Sequence, residues 1–235
     1  MTITQLVDNY DVFLLDMDGV IWSGNKIIDR SLEVIDWIAS QPQKQVYFLT
    51  NSSGRTRDEY VEKVKKMGWK GITREMVYGS AYTTARYLRE KYPEIKKVRV
   101  LGMNSICKEM GEVGIQSCGG EDDEGFKGSK VMSLDDFEGY NLDPEVSAVV
   151  VGLDTNFTYS KLCIASLYLH TGGAKFIACN DDAYDMVGER RIPGAGFMIS
   201  SLKTILSQHD HDGEKATHRE AAIIGKPNPY VVELI

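Results

Sequence analysis

The chain of 235 residues is 43% hydrophobic and 26% charged, enough for one large domain or two smaller ones. Its net charge of −7 argues against nucleic acid as a main partner, and no apolar run approaches the roughly 20 residues of a membrane span. The opening MTITQLVDNYD lacks the basic region and apolar core of a signal peptide, and Cys107, Cys118, Cys163 and Cys179 show no C-x-x-C spacing; the expectation is a cytoplasmic protein with free thiols.

Val12 to Leu15 is a short continuous apolar run, the pattern of a strand buried on both faces of a parallel sheet. It leads into Asp16-Met17-Asp18-Gly19. Asp16 and Asp18 are two apart, so on an extended chain they point the same way, and Gly19 permits a sharp turn just after them. Loops at the carboxyl ends of such strands are where open α/β sheets bind ligands. Two carboxylates about 4 Å apart repel by roughly 4 kcal/mol at a surface-like dielectric, and a divalent cation relieves this. Hard oxygen donors suit Mg²⁺. A Ca²⁺ loop does not fit, because Val20 and Ile27 stand where it needs an acidic or amide residue and a glutamate. Taken alone, D-x-D-G reads equally well as a plain polar strand end with a turn.

Further along, residues 27–39 read as a helix, with Leu32, Val34, Ile35 and Ile38 as its apolar stripe and Ser31 as its cap. Val46 to Leu49 is a second buried strand, ending in Thr50-Asn51-Ser52-Ser53. A helix over 57–67, a short strand over 76–78 and a helix over 82–91 follow; Gly68 ends the first helix and Pro93 stops the second. Strand and helix then alternate again. Strands are expected at 98–101, 148–151 and 176–179, with helices near 105–112, 159–169 and 196–206. Gly119 to Gly128 and Ser207 to Thr217 read as exposed loops. His209-Asp210-His211-Asp212, with no third histidine at helical spacing, reads as a linker rather than a metal cluster. Ala222 to Ile224 returns to a buried strand before Gly225-Lys226-Pro227-Asn228-Pro229. No G-x-G-x-x-G fingerprint is present, so a dinucleotide site is unsupported.

LLDMDGVIW, FLTNSS (Phe48 to Ser53) and IIGKPNP (Ile223 to Pro229) stand in the order of the first three motifs of the haloacid dehalogenase superfamily, and the chain resembles that family over nearly its whole length. The D-x-D-G-V form is similar to that of its phosphatases, in the branch that holds 4-nitrophenylphosphatase, phosphoglycolate phosphatase and pyridoxal phosphatase. The resemblance implies an α/β fold: a doubly wound, Rossmann-like parallel core of residues 1–96 and 218–235, with an inserted α/β cap over 97–217. It implies that Asp16 is the nucleophile and Asp18 the general acid and base. Thr50, Asn51, Ser52 and Lys226 would hold the phosphate, and Mg²⁺ would bind at Asp16 and Asp18. The substrate implied is a small phosphorylated metabolite, phosphoglycolate-like among the options, and the partner a second copy docked through the cap. Cap residues Asn180, Asp182 and Asp185 would lie over the phosphate; pyridoxal phosphatases carry a histidine near the position of Asp185.

The family's fourth motif, an acidic G-D-x-x-x-x-D loop, does not follow Lys226 here, and the expectation is a chain cut short, with an incomplete core sheet and weak metal binding. Two other readings stay open on sequence alone. One is a phosphotransferase using the same aspartyl-phosphate. The other is an inactive fragment that binds partners through its cap.

Overall fold

The structure, a computed structural model, describes residues 3–123, 133–171, 173–207 and 220–235. Of the loops expected at 119–128 and 207–217, residues 124–128 and 208–217, His209 to Asp212 among them, lie outside those residues. Helix α1 (Ile3–Asn9) leads into β1 (Val12–Asp16). A small antiparallel hairpin, β2 (Trp22–Ser23) with β3 (Lys26–Ile27), precedes α2 (Ser31–Ser40). Then come β4 (Gln45–Thr50), α3 (Arg57–Lys66) and β5 (Val77–Gly79). The three longer strands form a parallel sheet in the order β1-β4-β5. Parallel pairing brings strand ends of one polarity together. Asp16 therefore sits beside Leu49, and Thr50 beside Gly79.

One face of this sheet is packed. Phe48 and Val46 bury against Ile35 and Ile38 of α2, Tyr60 and Val64 of α3, and Val7 of α1. The start of α3 is fixed locally. The Thr56 side chain accepts from the Glu59 N–H while the Glu59 carboxylate accepts from the Thr56 N–H, so two otherwise orphaned donors are satisfied.

The second half is α4 (Ser80–Lys91), β6 (Lys97–Leu101), α5 (Asn104–Glu112), β7 (Gln116–Gly119), β8 (Val146–Val151), α6 (Tyr159–His170) and β9 (Lys175–Ala178). A hairpin follows, β10 (Tyr184–Val187) with β11 (Arg190–Pro193), and then α7 (Gly196–Leu206), β12 (Ala222–Ile223) and α8 (Tyr230–Glu233). Five strands make a parallel sheet in the order β12-β9-β8-β6-β7. Side chains alternate between its faces. Val98, Val100, Ala148, Val150 and Ile177 pack against α4 and α5. Val149, Val151, Phe176 and Ala178 pack against α6 and α7. The α/β reading with parallel sheets holds.

Four sequence expectations change. Among the described residues β1 pairs only with β4, so it is an edge strand, and Val12 is 46% and Leu14 39% exposed rather than buried on both faces. An apolar run shows that a strand can be buried, not that a neighbour covers both sides. The strand Ala222–Ile223, placed with the first unit by the 218–235 assignment, joins the second sheet at the edge of β9. Helix α4, placed with the first unit by the 1–96 assignment, buries Ala81, Ala85 and Leu88 in one cluster with Val98 and Val150. Both elements thus pack with the second sheet. The helix expected from residue 27 starts at Ser31 because the β2–β3 turn occupies the preceding residues, and the Ser31 hydroxyl donates to the Ile21 carbonyl instead of capping.

Candidate active site

The carboxyl ends of β1 and β4 meet the segment after β12. Asp16 closes β1 with its side chain 45% exposed, and its Oδ1 lies 2.9 Å from Lys226 Nζ. The same oxygen accepts from the Met17 N–H at 2.8 Å. Lys226 Nζ also reaches the Leu49 carbonyl at 3.4 Å. Lys226 is 175 residues from Asn51 in sequence, yet its backbone carbonyl accepts from Asn51 Nδ2 at 3.0 Å. The three sequence motifs therefore converge on one point.

Gly19, at φ 81°, makes the turn expected of it, and its N–H donates to the Trp22 carbonyl at 2.7 Å. That turn folds Trp22 back so that its Nε1 donates to Asp18 Oδ1 at 2.6 Å. On the other side, Thr50 Oγ1 donates to Asp18 Oδ2 at 3.2 Å. Both carboxylate oxygens of Asp18 are thus oriented by neighbours, which fixes the side chain in one place. Thr50 Oγ1 in turn accepts from the Ser52 N–H at 3.1 Å. Trp22 buries completely, with Lys63 Nζ 3.8 Å above its ring. Burial holds the Lys63 ammonium below its usual pKa.

Tyr60 supports the loop from beneath. Its hydroxyl donates to the Ser52 carbonyl at 3.4 Å, and burial pushes its pKa up to about 12, so it stays a neutral donor at ordinary pH. Asn51 is the junction of the site. Its Nδ2 donates to the Lys226 carbonyl and to Asp182 Oδ1 at 3.2 Å, while its own carbonyl accepts from Ser80 Oγ and from Asn180 Nδ2 at 2.8 Å.

Every site residue expected from sequence falls in this region. Asp16, Asp18, Thr50, Asn51 and Lys226 are joined by hydrogen bonds or an ion pair, and Ser52 contributes its N–H to Thr50. Of the three cap residues, Asn180 and Asp182 bond directly to Asn51. Asp185, on β10, makes no such bond; desolvation, then the Asp182 charge, then the Asp18 charge hold its carboxyl above the usual range. Sequence reading missed Trp22 and Ser80. Trp22 stands four residues after Asp18, and only the Gly19 turn brings it back.

The donor set suits a small hard cation of limited demand. Among the described residues no three His, Cys, Asp or Glu side chains converge as a metal cluster. Asp18 has both side-chain oxygens engaged and Asp16 has its Oδ1 engaged, which leaves the Asp18 backbone carbonyl and Asp16 Oδ2 as the oxygen donors for a cation. Mg²⁺ is typically held by one or two carboxylates and completes its shell with water and substrate phosphate. Cys179 offers no rival nucleophile, since burial pushes its thiol up to about 12.

A family model described as haloacid dehalogenase-like hydrolase matches residues 13–116. Phosphoglycolate phosphatase 2 of Arabidopsis thaliana is 36% identical over 98% of this chain and 72% of its own. The 4-nitrophenylphosphatase of Schizosaccharomyces pombe is 34% identical over 98% of this chain and 73% of its own. A glycerol phosphate phosphatase from Mycobacterium tuberculosis, solved in complex with magnesium, superposes with a TM-score of 0.73 at 24% identity, covering 97% of this chain and 58% of that one.

Proposed function

Because this chain belongs to the haloacid dehalogenase-like hydrolases, we propose that it is a Mg²⁺-dependent phosphatase of small phosphate monoesters that works through an aspartyl-phosphate. The observation that carries this reading is one exposed carboxylate, Asp16, 2.9 Å from Lys226 Nζ, beside a second carboxylate whose two oxygens are both held by donors. Positioning and charge neutralisation are what phosphoryl transfer mainly asks of a protein.

Asp16 attacks the phosphorus; the new bond is between its carboxylate oxygen and phosphorus, and the bond to the substrate oxygen breaks. Asp18 gives a proton to the leaving alkoxide and takes one from the water that then attacks the acyl-phosphate, releasing phosphate and restoring Asp16. Lys226 supplies a fixed positive charge beside the nucleophile, and Thr50 with the backbone donors near Asn51 and Ser52 would receive the phosphoryl oxygens, the Ser52 N–H by leaving Thr50 Oγ1. The Asp16 carboxylate and the Asp18 carbonyl would hold Mg²⁺, which when bound would supply neutralisation of the negative charge shared by Asp16 and the phosphate. Phosphoglycolate-like and other small phosphorylated metabolites fit this reading, which the names of the Arabidopsis and Schizosaccharomyces proteins support.

The test is phosphate release from 4-nitrophenyl phosphate by this chain. Saturable release with Mg²⁺, lost on chelation and restored by added Mg²⁺, is the expected result. Release in Mg²⁺ no faster than buffer alone overturns the reading.

Two further assignments belong to it. A cytoplasmic location is supported by the four free cysteines; among the described residues no helix is long and apolar enough to cross a membrane. A homodimer through the second unit is supported by the β10–β11 hairpin, where Tyr184, Met186, Val187 and Ile192 are all exposed. A solution mass near twice 26.3 kDa is expected, and a monomeric mass at micromolar concentration rejects the dimer.

A further inference from the structure

We propose that Asn180 and Ser105, both on the second unit, are positioning residues that keep the backbone carbonyls of the Asn51–Gly54 loop turned away from the substrate phosphate. The proposal rests on the phosphatase reading above. Three consecutive carbonyls in this loop each have a side-chain donor. The Asn51 carbonyl receives Asn180 Nδ2 and Ser80 Oγ, the Ser52 carbonyl receives the Tyr60 hydroxyl, and the Ser53 carbonyl receives Ser105 Oγ. Within one planar trans peptide the C=O and the following N–H point in opposite directions. Holding the three carbonyls therefore turns the N–H groups of Ser52, Ser53 and Gly54 to the other side. Two of these are accounted for there: Ser52 N–H on Thr50 Oγ1 at 3.1 Å, and Gly54 N–H on Ser52 Oγ at 3.4 Å.

The direction matters because a carbonyl oxygen turned into the site would repel a phosphoryl oxygen, whereas an N–H would receive it. The clamp is buried, and its members cannot exchange their bonds for water without loss. Ser53 is completely buried, and Asn180 and Ser105 nearly so. The Ser53 hydroxyl also accepts from the Leu153 N–H at 3.1 Å. Gly152 is needed for that approach, since a Cβ there would stand 2.6 Å from Ser53 Oγ. The loop after β4 is thus seated in the crevice between the carboxyl ends of β6 and β8. Seating of the second unit sets the orientation of the phosphate donors on the first.

Asn180→Asp is the sharpest variant, because it replaces the donor amide by a carboxylate oxygen of the same shape facing the Asn51 carbonyl. Ser105→Ala removes one donor and leaves Asn180 intact, and Ser105→Thr keeps the hydroxyl. The measurements are steady-state hydrolysis of 4-nitrophenyl phosphate, inhibition by inorganic phosphate, melting temperature, and hydrogen exchange across residues 49–57. Asn180→Asp and Ser105→Ala are expected to weaken phosphate inhibition and lower kcat/KM by about tenfold or more, as misplaced donors would. Exchange in the loop should quicken in both while exchange in β8 stays unchanged, and Ser105→Thr should behave as the parent. A lowered melting temperature with parental phosphate inhibition would mean a merely structural role and overturns the proposal. Parental exchange in the loop overturns it too, even if the unaltered chain proves not to hydrolyse phosphate esters, an outcome that by itself rejects only the phosphatase reading.

Discussion

Replacing Asp16 by asparagine is expected to lower turnover of 4-nitrophenyl phosphate by at least about a thousandfold. The substitution keeps the shape of the side chain. Its amide oxygen still accepts from the Met17 N–H, and because the carboxylate is half-exposed no buried charge is stranded. Stability should therefore shift by no more than about 0.5 to 1 kcal/mol, the range of an exposed ion pair. What is lost is the only atom at the end of β1 able to form a bond to phosphorus. The charge balance gives a second readout. Asp16 carries one negative charge into a space that must receive another, and removing it relieves a repulsion that grows as the pair desolvates. Inorganic phosphate should bind the asparagine variant as well as the parent or better while hydrolysis vanishes. Turnover within a factor of ten of the parent would remove Asp16 from the role of nucleophile; equal loss of phosphate binding and turnover would point instead to a collapsed site.

How far this site was legible in the chain depends on which kind of information each residue carries. Asp16, Asp18 and Gly19 carried a local signal, a strand end, two carboxylates two apart and a turn that needs positive φ, and the later motifs raised it above a plain polar strand end. Thr50 and Lys226 are ordinary residues in isolation, and only their order along the chain marked them. The partners of these groups were not readable. Trp22 reaches Asp18 only after the Gly19 turn, and Ser80 reaches Asn51 across 29 residues; Asn180 and Asp182 were expected over the phosphate, but not as partners of Asn51, which they reach across 129 and 131 residues. The same limit explains the fold. The apolar triplet before Gly225 announces a strand, but nothing in it distinguishes the edge of β9 from the edge of β1. The β10–β11 hairpin was missed although it carried a signal: Gly188 at φ 64° opens the turn between two strands, a position that glycine fills without strain. Both strands are exposed throughout, so no alternation of buried and exposed positions marked the segment as strand.

Lys226→Met is expected to reduce kcat/KM by about a hundred- to a thousandfold, the range seen when one fixed electrostatic donor is removed from a preorganised site. Methionine keeps the length and apolar stem of lysine without its charge. The backbone of this residue is anchored independently, through the bond from Asn51 Nδ2 to its carbonyl, so the loop after β12 should hold its course. The ion pair with Asp16 is about one-third exposed on the lysine side, and pairs of that kind contribute about 1 kcal/mol or less to stability. Melting temperature and catalysis should thus separate: the first nearly unchanged, the second deeply lowered. Lys226→Arg sharpens the argument. It restores a charge but presents a planar fork in place of a compact ammonium, and the Leu49 carbonyl and Asp16 Oδ1 together fit a single nitrogen. Arginine should recover part of the lost rate and not all of it. If methionine supports more than about a tenth of the parental rate, the lysine serves chiefly to orient Asp16, and charge neutralisation at the phosphoryl group has to come from the cation and the N–H groups after β4.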